Sequence, residues 1–298
     1  MNILVTGATG FIGGAVVSKL LSSKHNIAVF IRQNNKFFSK KIRIHEGDLR
    51  NPESIRNVCK DIDVVINCAG ALPHHKLKPK EYWNINTIGL ENLVNACITN
   101  NVKKLIHIST VGIYEKQKNS YNLSKLNGEK IIRESKLSRR SVILRPTICY
   151  GPGDIRPVFL RLFKLINSGL NINIGGGENY FHTIYIDNLV DVIVKSIKLK
   201  SVLGEDFIVG DLKCPRMKDI TKEIGLVLDK FYLNIYISKN LALFIGKFLG
   251  VDKTIRFVAD DRIYDIKKVR KYFGLKTDIG ISSGIEHTFE WYKVKNIL

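Results

Sequence analysis

Short aliphatic runs recur along the first half of the chain with an amphipathic, helix-length segment between most of them, and few folds satisfy that alternation. Ile3 to Thr6, Ile27 to Ile31, Ile42 to His45, Val64 to Cys68, Leu105 to Ser109 and Val142 to Leu144 have the length and β-branched content of strands. Gly14 to Ser23, Pro52 to Lys60, Tyr82 to Asn100 and Tyr121 to Lys136 read as helices, the second with Pro52 in its first turn. Strands joined through helices must run parallel, with right-handed crossovers and helices on both faces: an α/β, doubly wound sheet. Past Gly151 the rhythm loosens at Gly151-Pro152-Gly153 and Gly175-Gly176-Gly177. Phe181 to Ile186 and Phe207 to Val209 are expected to return as two more strands of the same sheet. The chain therefore reads as residues 1–155 with 183–212 in one domain, and 156–182 with 213–298 in a smaller, interleaved C-terminal region.

Thr6-Gly7-Ala8-Thr9-Gly10-Phe11-Ile12-Gly13 ends the first strand and opens the first helix. Gly7 permits a tight turn, Gly10 removes the side chain beneath a pyrophosphate, and Gly13 lets helix and strand pack closely. In that strand–turn–helix setting the pattern predicts a Rossmann-type dinucleotide site. The second strand closes with Arg32, followed by Gln33 and Asn34, where an acidic residue would select NAD. A guanidinium suits a 2′-phosphate, Lys36 stands close enough to help, and NADP is favoured over NAD.

Composition bounds the alternatives. A formal charge of +20, from 47 Lys and Arg against 27 Asp and Glu, fits nucleic acid, a membrane surface, an anionic ligand, or simple compositional bias. The basic residues are spread along the chain, so nucleic acid is not the expected partner; a small-molecule substrate is. Five scattered cysteines without a C-x-x-C pair read as reduced thiols, and no histidine has metal-ligand spacing, so neither disulfide nor metal is expected. No leader precedes Met1-Asn2-Ile3, and the apolar stretch Leu241 to Val251 is too short to span a bilayer, so the expectation is a cytoplasmic protein without an integral membrane segment. Leu241 to Leu249, with Phe244, Ile245 and Phe248, is expected to pack as an ordinary core helix; lining an apolar substrate pocket and touching a membrane surface are the alternatives.

Tyr121 and Lys125, four apart, share one helix face. A free tyrosine hydroxyl has a pKa near roughly 10 and needs a fixed cation to exchange protons near neutrality. Together with the glycine loop, this pair makes the chain resemble the extended branch of the short-chain dehydrogenase/reductase family, of NAD-dependent epimerase/dehydratase type. The resemblance runs almost end to end: Asp48-Leu49, Asn67-Cys68-Ala69-Gly70, Asn86-Thr87-Ile88-Gly89, Ser109-Thr110 with Ile113-Tyr114, Leu144-Arg145-Pro146, Tyr150-Gly151-Pro152-Gly153, Tyr185-Ile186-Asp187-Asn188, Asp265 to Lys268 and Phe273-Gly274. It implies Tyr121 as acid/base, Lys125 as the cation that lowers the tyrosine pKa and holds the nicotinamide ribose, and Thr110 as the donor to the substrate oxygen, with Ser109 as fallback. It further implies cofactor contacts from Gly7, Thr9, Gly10, Phe11, Ile12, Gly13, Arg32, Asp48, Leu49, Cys68, Ala69, Gly70, Asn86 and Pro146. For Asn86 a structural role ranks at least equal. A homodimer built on two helices is a further implication.

Three departures from the family narrow the chemistry. Thr110-Val111-Gly112 lacks the Asp-Glu carboxyls that follow the site threonine in sugar dehydratases. Phe181 stands where epimerases commonly carry the arginine that grips a diphosphate, although Arg256 lies near the place of a second one. Only six residues separate Tyr114 from Tyr121, which predicts an open pocket mouth. The expected reaction is net hydride transfer on a secondary alcohol or ketone. A nucleotide-sugar 4-epimerase using the same residues is the alternative, and a non-catalytic dinucleotide sensor or nucleic-acid-binding relative is a distant third.

Overall fold

The computed structural model describes residues 1–33, 39–276 and 278–298; Lys36, the expected helper of Arg32, lies outside them. In chain order the strands are β1 (Asn2–Thr6), β2 (Asn26–Ile31), β3 (Arg43–Glu46), β4 (Val64–Asn67), β5 (Lys104–Ile108), β6 (Ser141–Pro146), β7 (Ile148–Tyr150), β8 (Leu170–Ile174), β9 (Thr183–Tyr185), β10 (Asp206–Val209) and β11 (Leu233–Ile237). The helices are α1 (Phe11–Leu21), α2 (Pro52–Ile55), α3 (Pro79–Trp83), α4 (Gly89–Thr99), α5 (Ser120–Glu134), α6 (Pro157–Asn167), α7 (Ile186–Lys198), α8 (Met217–Leu228), α9 (Lys239–Phe248), α10 (Asp252–Ala259), α11 (Lys267–Phe273) and α12 (Ile281–Val294).

Two compact units emerge: Met1–Pro146 with Leu189–Val209 and Lys267–Gly274, and Thr147–Asn188 with Gly210–Ile266 and Leu275–Leu298. The first stretch thus breaks at Pro146, where the sequence suggested residue 155, and the segment around α11 falls in the first unit.

The first unit is built on a seven-stranded parallel sheet of order β10-β6-β5-β4-β1-β2-β3. Its central strands β4 and β5 are buried along their whole length, whereas edge strand β3 is partly exposed. Burial on both faces is why the inner strands read as unbroken apolar runs. Alternate residues Leu4, Phe30, Val65, Leu105 and Ile143 pack with Leu90, Leu93, Val94 and Cys97 of α4 and Ile132 of α5. The intervening Ile3, Val5, Val29, Ile66 and Ile106 are equally buried and point to the opposite face. Lys104 of β5 donates to the carbonyls of Ser196, Ile197 and Leu199 at 2.7, 3.0 and 2.8 Å, neutralising the C-terminal end of α7.

Two expected helices are shorter than their patterns. Helical geometry after Pro52 stops at Ile55 and continues as turns. The segment Tyr82 to Asn100 is split by a π-helical turn, Asn84–Ile88, that carries Asn86.

The second unit corrects one strand assignment. Phe181 to Ile186 does not join the large sheet; its centre, β9, pairs in parallel with β7, Ile148 opposite Thr183. The chain leaves the large sheet after Pro146, and the place beside β6 is filled by β10, so β9 meets β7 instead. Phe207 to Val209 does join the large sheet, within β10. Strands β8 and β11 form a second parallel pair.

Core packing of Leu241 to Leu249 is also overturned. Helix α9 buries its small residues, Ala242 and Gly246, and Gly246 lies so close to α10 that a Cβ there would stand 2.3 Å from Ile255. Leu241, Phe244, Ile245 and Phe248 face outward. Among the described residues no helix is long and apolar enough to cross a membrane.

Candidate active site

The glycine loop is held at the carboxyl edge of the sheet. Gly7 has φ of +67°, and a Cβ added there would lie 2.6 Å from the Ala69 nitrogen, so the ends of β1 and β4 touch only because residue 7 has no side chain. A Cβ on Gly13 would strike the Gly7 carbonyl oxygen at 2.2 Å, which fixes how closely α1 approaches β1. Helix α1 begins at Gly10 without a side-chain cap and without an acidic residue in its first turn. An uncapped amide terminus with a side-chain-free cradle fits a dinucleotide's pyrophosphate.

Lys125 is the best-defined group of the site. It lies on α5, 5% exposed, and its ammonium donates to the Ile108 carbonyl at 2.6 Å with His107 Nε2 at 3.4 Å. Burial lowers its pKa from 10.5 to about 8, against the opposing pull of Glu129 and Cys68. Behind it a polar chain crosses three neighbouring strands: His107 Nδ1 lies 3.0 Å from Asn67 Nδ2, and Asn67 Oδ1 lies 2.6 Å from the Thr6 hydroxyl. The Ala69 amide also donates to Asn67 Oδ1 at 3.2 Å, which settles which way the Asn67 amide points. Asn67 Nδ2 therefore donates to His107 Nδ1. Burial, reinforced by Lys125, holds His107 well below the ordinary histidine range, so the neutral ring carries its proton on Nε2, facing the ammonium.

Tyr121 lies on the same helix one turn earlier, partly buried, its ring edge-on to Tyr82 at 6.2 Å. Asn119 caps that helix by accepting from the Asn122 amide at 2.8 Å. Asn86 locks the helix to the end of β4: its side chain accepts from the Ala71 amide at 2.7 Å and donates to the Ser124 hydroxyl at 2.9 Å. These contacts give Asn86 a structural part in the site. Gly70 passes close by, since a Cβ there would lie 3.1 Å from Asn86 Oδ1 and 3.9 Å from Lys125 Nζ.

Thr110 caps the turn Val111–Tyr114 by accepting from the Gly112 amide at 3.1 Å, a bond that uses an oxygen lone pair and not the hydroxyl proton. Ser109 is different: its hydroxyl donates to Glu129 at 2.5 Å and is buried, so it does not serve as the fallback donor. Glu129 takes a two-pronged bond from Arg145 at 2.9 and 2.6 Å, and Arg145 reaches the Tyr114 hydroxyl at 2.5 Å and also Asp206. This buried ionic cluster fixes the loop on which Thr110 sits. Neither Glu129 nor His107 was singled out from sequence; the signals were an acidic residue amid a helix's buried face and a lone histidine in an apolar strand.

The remaining expected cofactor contacts fall around the same edge. Arg32 is exposed just past β2. Asp48 is bonded by Arg50 at 2.5 Å, which holds its carboxyl below the usual range, with smaller help from Arg32. Leu49 packs against Gly89, and its carbonyl accepts from Asn92 at 2.8 Å. Pro146 ends β6, buried, and burial pushes the Cys68 thiol up to about 12, leaving it protonated and inert.

A model of the NAD dependent epimerase/dehydratase family matches residues 3–210. The chain belongs to this family. Within reach of it, a UDP-glucose 4-epimerase of Vibrio cholerae is 27% identical over 321 aligned positions, covering 99% of this chain and 96% of that protein. A decarboxylating sterol-4-alpha-carboxylate 3-dehydrogenase of Saccharomyces cerevisiae is 24% identical and covers 97% of both chains. The UDP-glucuronic acid 4-epimerase of Bacillus cereus, solved with NAD, shares the fold at a TM-score of 0.80 and 22% identity over 99% of each chain. The chain is therefore an enzyme of the extended short-chain type with a Rossmann fold, a nicotinamide cofactor and an epimerase or oxidoreductase activity.

Proposed function

We propose that this enzyme moves hydride between a nicotinamide dinucleotide and a secondary alcohol or ketone with net redox change. The buried Lys125, held by the Ile108 carbonyl on the helix face it shares with Tyr121, carries the reading. Gly7, Gly10 and Gly13 hold the pyrophosphate, with Asp48 and Leu49 beside the adenine and Lys125 at the nicotinamide ribose. Bound there, the nicotinamide supplies or accepts the hydride. Tyr121 gives a proton to the substrate oxygen, or takes one from it, while Thr110 turns its hydroxyl proton toward the same oxygen. Below its pKa of about 8, Lys125 is the charge that favours tyrosinate. The first unit binds the dinucleotide in this reading, and the second selects the substrate.

Phe181 supports net redox over epimerisation. It is fully buried, packed edge-on to Phe257 at 5.9 Å, so a core side chain occupies the position from which epimerases of the family grip a diphosphate. The absence of carboxyls after Thr110 supports the same choice against dehydration. The match to a UDP-glucose 4-epimerase over nearly the whole chain favours the second reading, hydride transfer out and back on a nucleotide sugar. At the adenosine end Arg32 supports NADP, whereas the related structure holds NAD.

The test is a panel of secondary alcohols, ketones and UDP-hexoses with each cofactor. Net redox predicts stoichiometric formation or loss of reduced nicotinamide, reduced about 10²- to 10⁴-fold in Tyr121→Phe. Complete interconversion of UDP-glucose and UDP-galactose with no net cofactor change would defeat it in favour of epimerisation. Equal affinity for NAD and NADP, unchanged in Arg32→Ala, would remove Arg32 from the cofactor site.

A further inference from the structure

Helix α9 is built the wrong way round for a protein surrounded only by water. A surface helix ordinarily turns its apolar stripe inward. Here the inward side is Ala242 and Gly246, closed tightly against α10, and the stripe of Leu241, Phe244, Ile245 and Phe248, spaced i, i+3, i+4 and i+7, faces out. Phe244 is 62% and Phe248 78% exposed, and their rings meet edge to face at 5.0 Å, so they form one aromatic ridge. Leu249, 70% exposed, extends it past the helix end.

We propose that this ridge seats the enzyme on an anionic phospholipid surface. The inference stands apart from the reaction assigned above, because none of these residues belongs to the site built around Lys125. Charge selects the partner. No acidic residue occurs from Ser238 to Val251, exposed Lys247 lies between Ile245 and Phe248 of the stripe, and Lys253 and Arg256 are exposed on the adjoining α10, whose first residue, Asp252, is half-buried. Lys239, at the helix start, is paired with Asp260 at 2.7 Å and adds little. The whole chain carries +20, which an anionic interface attracts over a longer range. Phe and Leu entering the acyl boundary with lysine and arginine heads left at the phosphates is the arrangement of an interfacial helix.

A second copy of the chain suits the ridge less well. A ten-residue helix is about 15 Å long, and four side chains along it cover well under the roughly 800 Å² per partner of a stable interface. A bilayer needs no matching surface and accepts a ridge of that length.

Co-sedimentation of the full chain with vesicles of phosphatidylcholine and phosphatidylserine, against phosphatidylcholine alone, tests the proposal. Binding to the mixed vesicles is expected. The double variant Phe244→Ser/Phe248→Ser should weaken it by about tenfold or more, and Lys247→Glu by about fivefold at low salt. Because all three side chains are exposed, the thermal melting of each variant should match the parent. Failure to bind the mixed vesicles would overturn the inference, as would binding undiminished in the double variant. A concentration-dependent dimer, abolished by the double variant and without vesicle binding, would assign the ridge to a second copy instead.

Discussion

Replacing Lys125 with Met should separate the energetic burden of the site from its chemistry. In the folded enzyme the ammonium has a pKa of about 8, against 10.5 for an ordinary lysine. The unfolded chain therefore binds more protons than the folded one between those values, and stability rises with pH across that interval. Below about pH 8 the protein bears the whole penalty of a buried cation, at about 1.4 kcal/mol for each unit of depression, or about 3 kcal/mol. Between about pH 7 and about pH 9.5 some 1.4 units of that penalty are relieved, or about 2 kcal/mol. Lys125→Met has no such term; His107, kept neutral across this range chiefly by its burial, stays so in both proteins, and groups remote from residue 125 cancel in the difference. Urea unfolding of both across that range should show the parent gaining about 2 kcal/mol on the variant. Near neutrality the two should differ less, since the variant also leaves the Ile108 carbonyl without its donor, at about 1–3 kcal/mol. A difference that stays flat with pH, or falls, would refute the account of Lys125 as a desolvated cation. Activity lost at every pH in Lys125→Met, with cofactor still bound, would be the chemical half of the result.

Three further outcomes follow from the geometry. Gly7→Ala combines a positive φ with a Cβ 2.6 Å from backbone, so dinucleotide binding measured by fluorescence titration should be lost and the melting temperature should fall. Asn86→Ala leaves the buried Ala71 amide and Ser124 hydroxyl without this partner; urea unfolding should show a loss of about 1–3 kcal/mol, with kcat falling as the Tyr121 helix loosens. Glu129→Ala strips the two-pronged partner from buried Arg145 and should cost about 3–5 kcal/mol, whereas a loss below about 1 kcal/mol would show that Asp206 alone suffices.

Much of the first unit was legible because its strands are buried on both faces and therefore announce themselves as apolar runs, and because the glycine loop, Tyr121 and Lys125 are local patterns. What escaped depends on register across the sheet. Thr6, Asn67 and His107 are far apart in sequence and meet because β1, β4 and β5 are neighbours in register, Thr6 opposite Asn67 and Asn67 opposite His107. The partner of Phe181 to Ile186 was misplaced for the same kind of reason, since a short apolar run carries no record of which sheet it completes. Helix α9 failed differently. Its period showed that an apolar stripe exists, but only the packing of Ala242 and Gly246 shows which way that stripe points.

The connectivity of the first unit bears on how the protein is made. Its last piece, Lys267–Gly274, is translated after the rest of that unit and after most of the second. Phe273 and Tyr272 stack edge-on against Phe207 at 5.2 and 5.3 Å, and Lys268 pairs with Glu205 at 2.8 Å, so β10 at the sheet's edge is covered only then. A nascent chain stalled before residue 267 would hold the glycine loop, Tyr121 and Lys125 and still present an unfinished sheet edge, the kind of surface that holds a polypeptide on chaperones.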